Sequence, residues 1–477
     1  VARVWDFFSH EDDYPELDEA TCCARLGRAL SFPSIADVDE TRTDWSVFEG
    51  LQAFMRSSFP AVFSAAEVEM VGHSLMITLP GTDASLDPVM LMGHQDVVPV
   101  VAGTEGDWTH DAFSGDVDDE YVWGRGAIDM KDMVIGELEA VEYALDHGWT
   151  LRRTLMLCFG QDEESLQSGA RAMGELLLER GIHLEFLVDE GDYRIIDAAE
   201  YGAPGTPMMS VCLSEKGYCD VRLTVRSAGG HSSNPFGGTS LAILAEAVSR
   251  LASSEWPVRL TSLDQQTLAA LAPSITEEPL ASLVRGGEAA IERNADAIAD
   301  LLLHDRRLFP LVTTTVAPTM VEGGSQASNV MPQDMWAVVN FRLLQGVTQS
   351  DVLDRCRELV ADLPVEVDML FTGNDPSSTS RADGYGFAAL EHVAARYFVD
   401  PATGLAVTLV PTLACGATDA RMYEPVCDSC LRFSAFVVDD EESDRGVHGT
   451  DERVTRRAYL QGIRFLIRLI DETCVRP

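Results

Sequence analysis

The sequence predicts an α/β protein: a central, mostly parallel sheet sandwiched by helices, with a ferredoxin-like α+β unit inserted into it. Three observations carry that reading. Over the first 216 residues, short apolar runs alternate with helix-length amphipathic segments, as in a sheet buried on both faces. From residue 217 the order becomes strand–helix–strand–strand–helix–strand. After residue 372 the first character returns, so the middle part interrupts one domain.

Taken in order, residues 17–30 and 44–57 carry apolar groups at helical spacing. Leu75–Leu79 and Val89–Met92 read as strands, and Met133–Leu145 as a helix. Thr154–Phe159 and Phe186–Val188 are short apolar runs bounded by polar residues, the pattern of buried parallel strands; Gly169–Arg180 between them is a helix. Tyr218–Arg226 alternates, with Cys219, Val221, Leu223 and Val225 on one face, as in a half-exposed strand. A helix at 239–253 follows, then a stretch at 254–310 rich in Ala, Leu and acids that reads as an extra helical insert. Strands at 312–321 and 335–344, a helix at 349–361 and a strand at 364–371 complete the inserted unit. We therefore divide the chain into one domain (1–216 and 373–477) and a second inserted into it (217–372).

The chain has 477 residues, with 35 basic and 77 acidic side chains and a net charge of −42. That charge argues against nucleic-acid and anionic-membrane partners, which need clustered Lys and Arg. Only Lys131 and Lys216 are lysines. We read the acidity as a solvated surface and the arginine bias as compositional; a steep rise of stability in molar salt would instead indicate salt adaptation. The ten cysteines are scattered, and Cys427-x-x-Cys430 lacks a second pair at zinc-site spacing, so reduced thiols are expected. No apolar run of about 18 residues predicts a membrane span. Val1-Ala-Arg-Val-Trp-Asp has no apolar signal-peptide core, and we expect a cytoplasmic protein.

Five motifs carry chemistry. Gly93-His94-Gln95-Asp96 follows a buried strand, where such sheets place ligands. His94 suits a metal ligand, and Asp96, two residues on, shares its side and suits the carboxylate that orients the imidazole. Trp123-Gly124-Arg125-Gly126-Ala127-Ile128-Asp129 fails as a dinucleotide fingerprint, because its third glycine is missing. Gly160-Gln161-Asp162-Glu163-Glu164 sets two acids at a strand end, able to divide cation binding from proton transfer. Val188-Asp189-Glu190 is again acid at a strand end, and Gly446-Val447-His448-Gly449 places a histidine in a Gly-bounded loop. Each motif alone is more often structural. Together they give two histidines and several carboxylates on loops of one sheet, a donor set suited to zinc, cobalt or manganese.

These five motifs, in this order, resemble the dinuclear-zinc exopeptidases that include aminoacylase, glutamate carboxypeptidase G, Gly-X carboxypeptidase S and succinyl-diaminopimelate desuccinylase. The resemblance covers about residues 85–477. It implies one metal on His94, Asp129 and Asp189 and a second on Asp129, Glu164 and His448, most simply zinc, with Asp129 bridging. It also implies Glu163 as general base, Asp96 as the partner of His94, and a cis peptide after Asp129. Ser227-Ala-Gly-Gly-His231 resembles the lid histidine loop that, in dimeric members, reaches the partner's active site and stabilises the oxyanion. Asn329, Arg342 and Gly416 resemble substrate-binding residues, Arg342 matching the substrate carboxylate with its planar fork. The sequence departs from the family at Ala417, where a second glycine is usual; alanine there is strained if the position needs a positive φ.

The expected activity is metal-dependent hydrolysis of an amide or peptide bond in a small substrate with a free carboxylate, nearest to carboxypeptidase S and N-acyl amino acid hydrolases. Dipeptidase and N-acetyl or succinyl deacylase are alternatives within the family. A non-catalytic metal-dependent binding protein is the alternative from another class, and it would need a broken site. The same resemblance implies that 1–216 and 373–477 form the catalytic domain, that 217–372 is a lid or dimerisation domain, and that the protein is a homodimer.

Overall fold

The structure is a computed structural model that describes residues 6–371, 373–438 and 446–477. The boundary expected at residue 372 and the N-terminal Val1–Trp5 lie outside the described residues. Three helices open the chain: α1 (Glu19–Leu30), α2 (Trp45–Ser58) and α3 (Pro60–Ala65). Their starts are written locally. Asp18 accepts from the Thr21 N–H, Asp44 accepts from the Ser46 N–H, and Pro60 opens α3.

The first part continues with β1 (Glu67–Val71), β2 (Ser74–Leu79), β3 (Val89–His94), β4 (Tyr121–Trp123), α4 (Lys131–Asp146), β5 (Leu155–Gly160), α5 (Ser168–Glu179), β6 (Phe186–Asp189), β7 (Ile196–Asp197) and β8 (Pro207–Glu215). The middle part holds β9 (Gly217–Val225), β10 (Gly230–His231), α6 (Ser240–Ala252), α7 (Ser262–Leu271), α8 (Leu280–Val284), α9 (Glu288–Arg293), α10 (Ala295–Leu303), α11 (Phe309–Val312), β11 (Thr315–Glu322), β12 (Val330–Met331), β13 (Met335–Leu343), α12 (Gln349–Leu359) and β14 (Glu366–Met369). The chain closes with α13 (Tyr385–Tyr397), β15 (Thr408–Ala414), β16 (Cys430–Arg432), β17 (Arg453–Thr455) and α14 (Arg456–Ile470).

Nine strands form the main sheet, in the order β1-β2-β5-β3-β6-β16-β8-β15 with β7 beside β8. Its centre, β5-β3-β6-β16, is parallel, so these four strands end on one edge. β3, β5 and β6 are buried along their whole length, as their unbroken apolar runs require. Alternate residues serve two cores. Leu91, Leu157 and Val188 join the core with α4, α13 and α14, while Met90, Met92, Met156 and Cys158 meet Met173 and Leu177 of α5.

A separate antiparallel sheet has the order β11-β13-β9-β14. In chain order its strands read second-third-first-fourth, the ferredoxin-like arrangement expected from the sequence. Its core joins Val221, Leu223, Val339 and Phe341 to Leu244 and Leu251 of α6 and Val352 and Cys356 of α12. The insert α7–α11 instead forms a core with Met208 of β8 and Val410 of β15. The Thr267 hydroxyl donates to the Pro411 carbonyl at 2.5 Å. The insert thus covers an edge of the main sheet. Lys216, at the junction of β8 and β9, donates to the carbonyls of Pro310 (2.6 Å) and Thr313 (2.8 Å) and ties the insert to that junction. All ten cysteines are free, nine of them buried. Among the described residues no helix is long and apolar enough to cross a membrane.

Candidate active site

The parallel strands β5, β3 and β6 deliver three of the motifs to one place. His94 is the last residue of β3, Glu163 and Glu164 follow β5, and Asp189 ends β6 with Glu190 next. Asp129 comes from the loop before α4, and His448 from the loop before β17. The Asp129–Met130 peptide is cis, as the resemblance implies.

His94 is 1% exposed. Its Nε2 lies 3.0 Å from Asp129 Oδ1 and 3.9 Å from Glu190 Oε1. Its Nδ1 lies 2.9 Å from the Asp96 carbonyl and 3.4 Å from the Asp96 carboxylate. Asp96 is wholly buried, and its carboxylate accepts the N–H groups of Glu163 (3.0 Å) and Glu164 (3.1 Å). One carboxylate therefore orients the histidine and holds the backbone of the paired glutamates. His448 Nε2 lies 3.2 Å from Asp129 Oδ2 and 3.1 Å from Glu164 Oε1. Asp129 thus faces a different histidine with each oxygen.

Two groups of donors lie within metal-chelating reach, His94–Asp129–Glu190 and Asp129–Glu164–His448, with Asp129 common to both. The sequence reading named Asp189 rather than Glu190. The structure places Asp189 at the same strand end, where its Oδ2 accepts the Ala420 N–H at 2.7 Å, and it is Glu190 that groups with His94 and Asp129. Successive side chains at a strand end point to opposite sides, and sequence spacing alone does not say which of two adjacent acids faces the site.

The electrostatics suit a cation. Burial alone would depress the pKa of His94; hydrogen bonds to Asp129 and Asp96 override it and hold the imidazole well above its usual value. Hydrogen bonds to Asp129 and Glu164 raise His448 to about 10. Burial pushes Glu163 and Glu190 well above the usual carboxylate range, and neighbouring carboxylates push further. Burial also raises Asp189, to about 6. Divalent ions fit this donor set, because two imidazoles and several carboxylates converge, with Asp129 common to both groups.

Glu163 Oε1 accepts from Gln167 Nε2 at 2.9 Å, a contact the sequence reading missed; Gln167 has a φ of +54°. Asp419 was also missed. It is buried, with its Oδ2 where a side chain at Gly160 would stand, so Gly160 is the residue that admits it. Arg432 and Glu215, both buried, pair at 2.6 Å, and the Thr418 hydroxyl donates to the same Glu215 oxygen at 2.8 Å, anchoring the loop that begins at Cys415. In that loop Ala417 does not have a positive φ, so alanine carries no strain there.

Arg342, at the end of β13, reaches this loop. Its Nη1 lies 3.4 Å from the carbonyl of Cys415, next to Gly416, and its guanidinium lies 4.6 Å over the Tyr218 ring. His231 and Asn329 come together elsewhere, on exposed loops joined by the β10–β12 pairing. His231 Nδ1 accepts from the N–H and hydroxyl of Ser233, and the Asn329 carbonyl accepts the Ser232 N–H at 3.0 Å. Among the described residues, the hydrogen bonds of His231 and Asn329 stay within this loop pair and none joins them to the His94–Asp129–His448 cluster.

The sequence profile of peptidase family M20/M25/M40 matches residues 90–472. The chain belongs to that family. It is accordingly a hydrolase of the metal-dependent peptidase class, as the motifs led us to expect. The probable carboxypeptidase S-like 2 of Dictyostelium discoideum is 30% identical over 97% of this chain and 87% of its own length. The N-fatty-acyl-amino acid synthase/hydrolase PM20D1 of Xenopus tropicalis is 32% identical over 94% of this chain and 85% of its own. Among solved structures, the M20 family metallo-carboxypeptidase Sso-CP2 from Sulfolobus solfataricus has the same fold, with a TM-score of 0.68, 16% identity and coverage of 95% of this chain and 98% of that one.

Proposed function

We propose that this M20 member hydrolyses the amide bond of an N-acyl amino acid or short peptide whose amino-acid side carries a free carboxylate. The observation that carries the reading is the pair of donor groups sharing Asp129, with Glu163 beside them. His94, Asp129 and Glu190 would hold one divalent ion, and Asp129, Glu164 and His448 the other. Zinc is our first choice, with manganese or cobalt as alternatives. When bound, two such ions polarise a scissile carbonyl and bring the pKa of water towards neutrality.

The chain's own residues supply the rest. Glu163 takes the proton of the attacking water and returns it to the leaving amine. Burial holds its carboxyl above the ordinary range, which suits a group that must both accept and donate near neutral pH. The amide of Gln167 fixes one of its oxygens. Asp96 keeps His94 and the glutamate backbone in register. Arg342 takes the substrate carboxylate beside the Gly416 loop. The inserted unit, which carries Arg342 on its four-stranded sheet and His231 and Asn329 beside the β10–β12 pair, acts as the lid and dimerisation unit, and His231 stabilises the oxyanion in the partner's site. That arrangement accounts for an exposed histidine on a loop apart from its own cluster. The carboxypeptidase S-like and N-fatty-acyl-amino acid hydrolase relatives support an acyl or peptidyl amino acid over other amides. The free thiols support a reducing, cytoplasmic compartment.

The test is turnover by metal-stripped protein reloaded with zinc or manganese, given an N-acyl amino acid and an unblocked dipeptide side by side. Cleavage of the acyl compound is expected. Cleavage of the dipeptide alone would move the enzyme to the dipeptidases, and no metal uptake would overturn the reading.

A further inference from the structure

The two donor groups are supported differently. His94 is buried and braced by Asp96 through its second ring nitrogen. His448 is half exposed and sits on a backbone with φ of +61°. Asp129 and His448 come from distant parts of the chain, so tertiary contacts must set their separation.

One buried ion pair makes those contacts. Arg125 and Glu452 are 327 residues apart and meet at 2.5 Å, with exposures of 2% and 0%. Glu452 Oε1 accepts the N–H groups of Ile128 (2.9 Å) and of Asp129 itself (3.2 Å). Arg125 Nη2 donates to the carbonyl of Gly449, the residue after His448, at 2.9 Å. The Glu452 carbonyl accepts the Gly124 N–H at 3.0 Å, and the two segments continue as the β4–β17 pair. The side chain of each partner thus grips the backbone of the other's segment. Burying a charge pair is weak as a source of stability, since apolar groups of the same size do as well. What this pair adds is geometry, because a guanidinium fork and a carboxylate aim at fixed angles.

We propose that Arg125 and Glu452 are positioning residues that hold Asp129 and His448 at chelating distance, and so set the affinity of the metal site formed by Asp129, Glu164 and His448. The proposal rests on the dinuclear reading above. Neither residue belongs to either donor group; Arg125 reaches the His448 side through Gly449, whereas Glu452 holds the backbone of the shared Asp129.

The experiment is equilibrium dialysis against buffered free zinc, with bound zinc counted by elemental mass spectrometry. Arg125→Lys keeps the charge and loses the forked bond to Gly449. It should leave one zinc per chain at wild-type affinity and weaken the second about 10- to 100-fold, the usual size of such effects. Glu452→Gln, which loosens the hold on the shared Asp129, should weaken the second zinc and reach the first as well. His448→Ala sets the benchmark for an empty second site, and Arg125→Lys added to it should change zinc binding no further. Two zincs at wild-type affinity in Arg125→Lys would overturn the proposal. Equal weakening of both zincs in Arg125→Lys, or an effect of Arg125→Lys that adds to His448→Ala, would also overturn it, since either marks general destabilisation. Melting of the metal-free variants checks folding, and the milder lysine variant stands if the glutamine one fails to fold. A wild type that binds no zinc would instead overturn the dinuclear reading.

Discussion

Glu163 and Glu164 are neighbours with opposite expected phenotypes. Glu163→Gln should keep both metals and lose about 10²- to 10⁴-fold in kcat, the usual contribution of a positioned base. Glu164→Ala should lose metal first. Elemental analysis beside turnover separates them, and near-normal turnover of Glu163→Gln would remove it from the mechanism. The histidines give a pH prediction. Hydrogen bonds to Asp129 and Glu164 raise His448 to about 10, so it carries a proton at pH 7 that a bound metal must displace, and hydrogen bonds to Asp129 and Asp96 shift His94 in the same direction. Affinity at the His448 site therefore rises with pH up to about 10, and filling it at pH 7 releases about one proton from that imidazole. Calorimetry in buffers of different ionisation enthalpy measures that number; affinity flat between pH 6 and 8 would contradict it. At this scale the strand-end histidine and the paired glutamates were legible, because buried apolar runs announce where a parallel sheet ends. Glu190, Gln167, Arg125 and Glu452 were not. Which of two adjacent acids faces inward, and which distant residues brace a loop, are decided by tertiary contacts that leave no local spacing.

Elements were read well where one periodicity dominated. The buried strands and α4, α5, α6 and α12 fall within a few residues of their expected places. The insert was legible as helical, but its docking was not, since an amphipathic helix shows that a face is buried and not against what. It packs on β8 and β15, with Leu268 of α7 only 1% exposed in that core. Leu268→Ala should cost about 2–5 kcal/mol through lost burial and a residual cavity. Chemical denaturation measures it. A loss below about 0.5 kcal/mol would mean that the insert is not part of the cooperative core.

Over the whole molecule, a net charge of −42 makes self-repulsion a standing cost to compactness. The melting temperature should rise as salt screens it. A rise that levels off by a few tenths molar fits simple screening; one that continues into molar salt indicates adaptation to it. The two lysines, each 1% exposed, donate to backbone carbonyls inside the protein, Lys131 to Phe32 and Lys216 to Pro310 and Thr313. The basic side chains of the surface are therefore all arginine. The same scale decides where His231 works. Its loop is exposed and makes no hydrogen bond to the His94–Asp129–His448 cluster among the described residues, and under the dimer proposal each active site is built from two copies. His231→Ala and Glu163→Ala should then each be nearly inactive alone. Mixed under conditions of subunit exchange, half the dimers are hybrids. In a hybrid, the chain that keeps Glu163 receives His231 from its partner, and the other site lacks both groups. Activity should recover to about a quarter of wild type for a two-fold assembly. No recovery, with exchange verified by mass spectrometry of the hybrids, would place His231 in its own chain's site or outside catalysis.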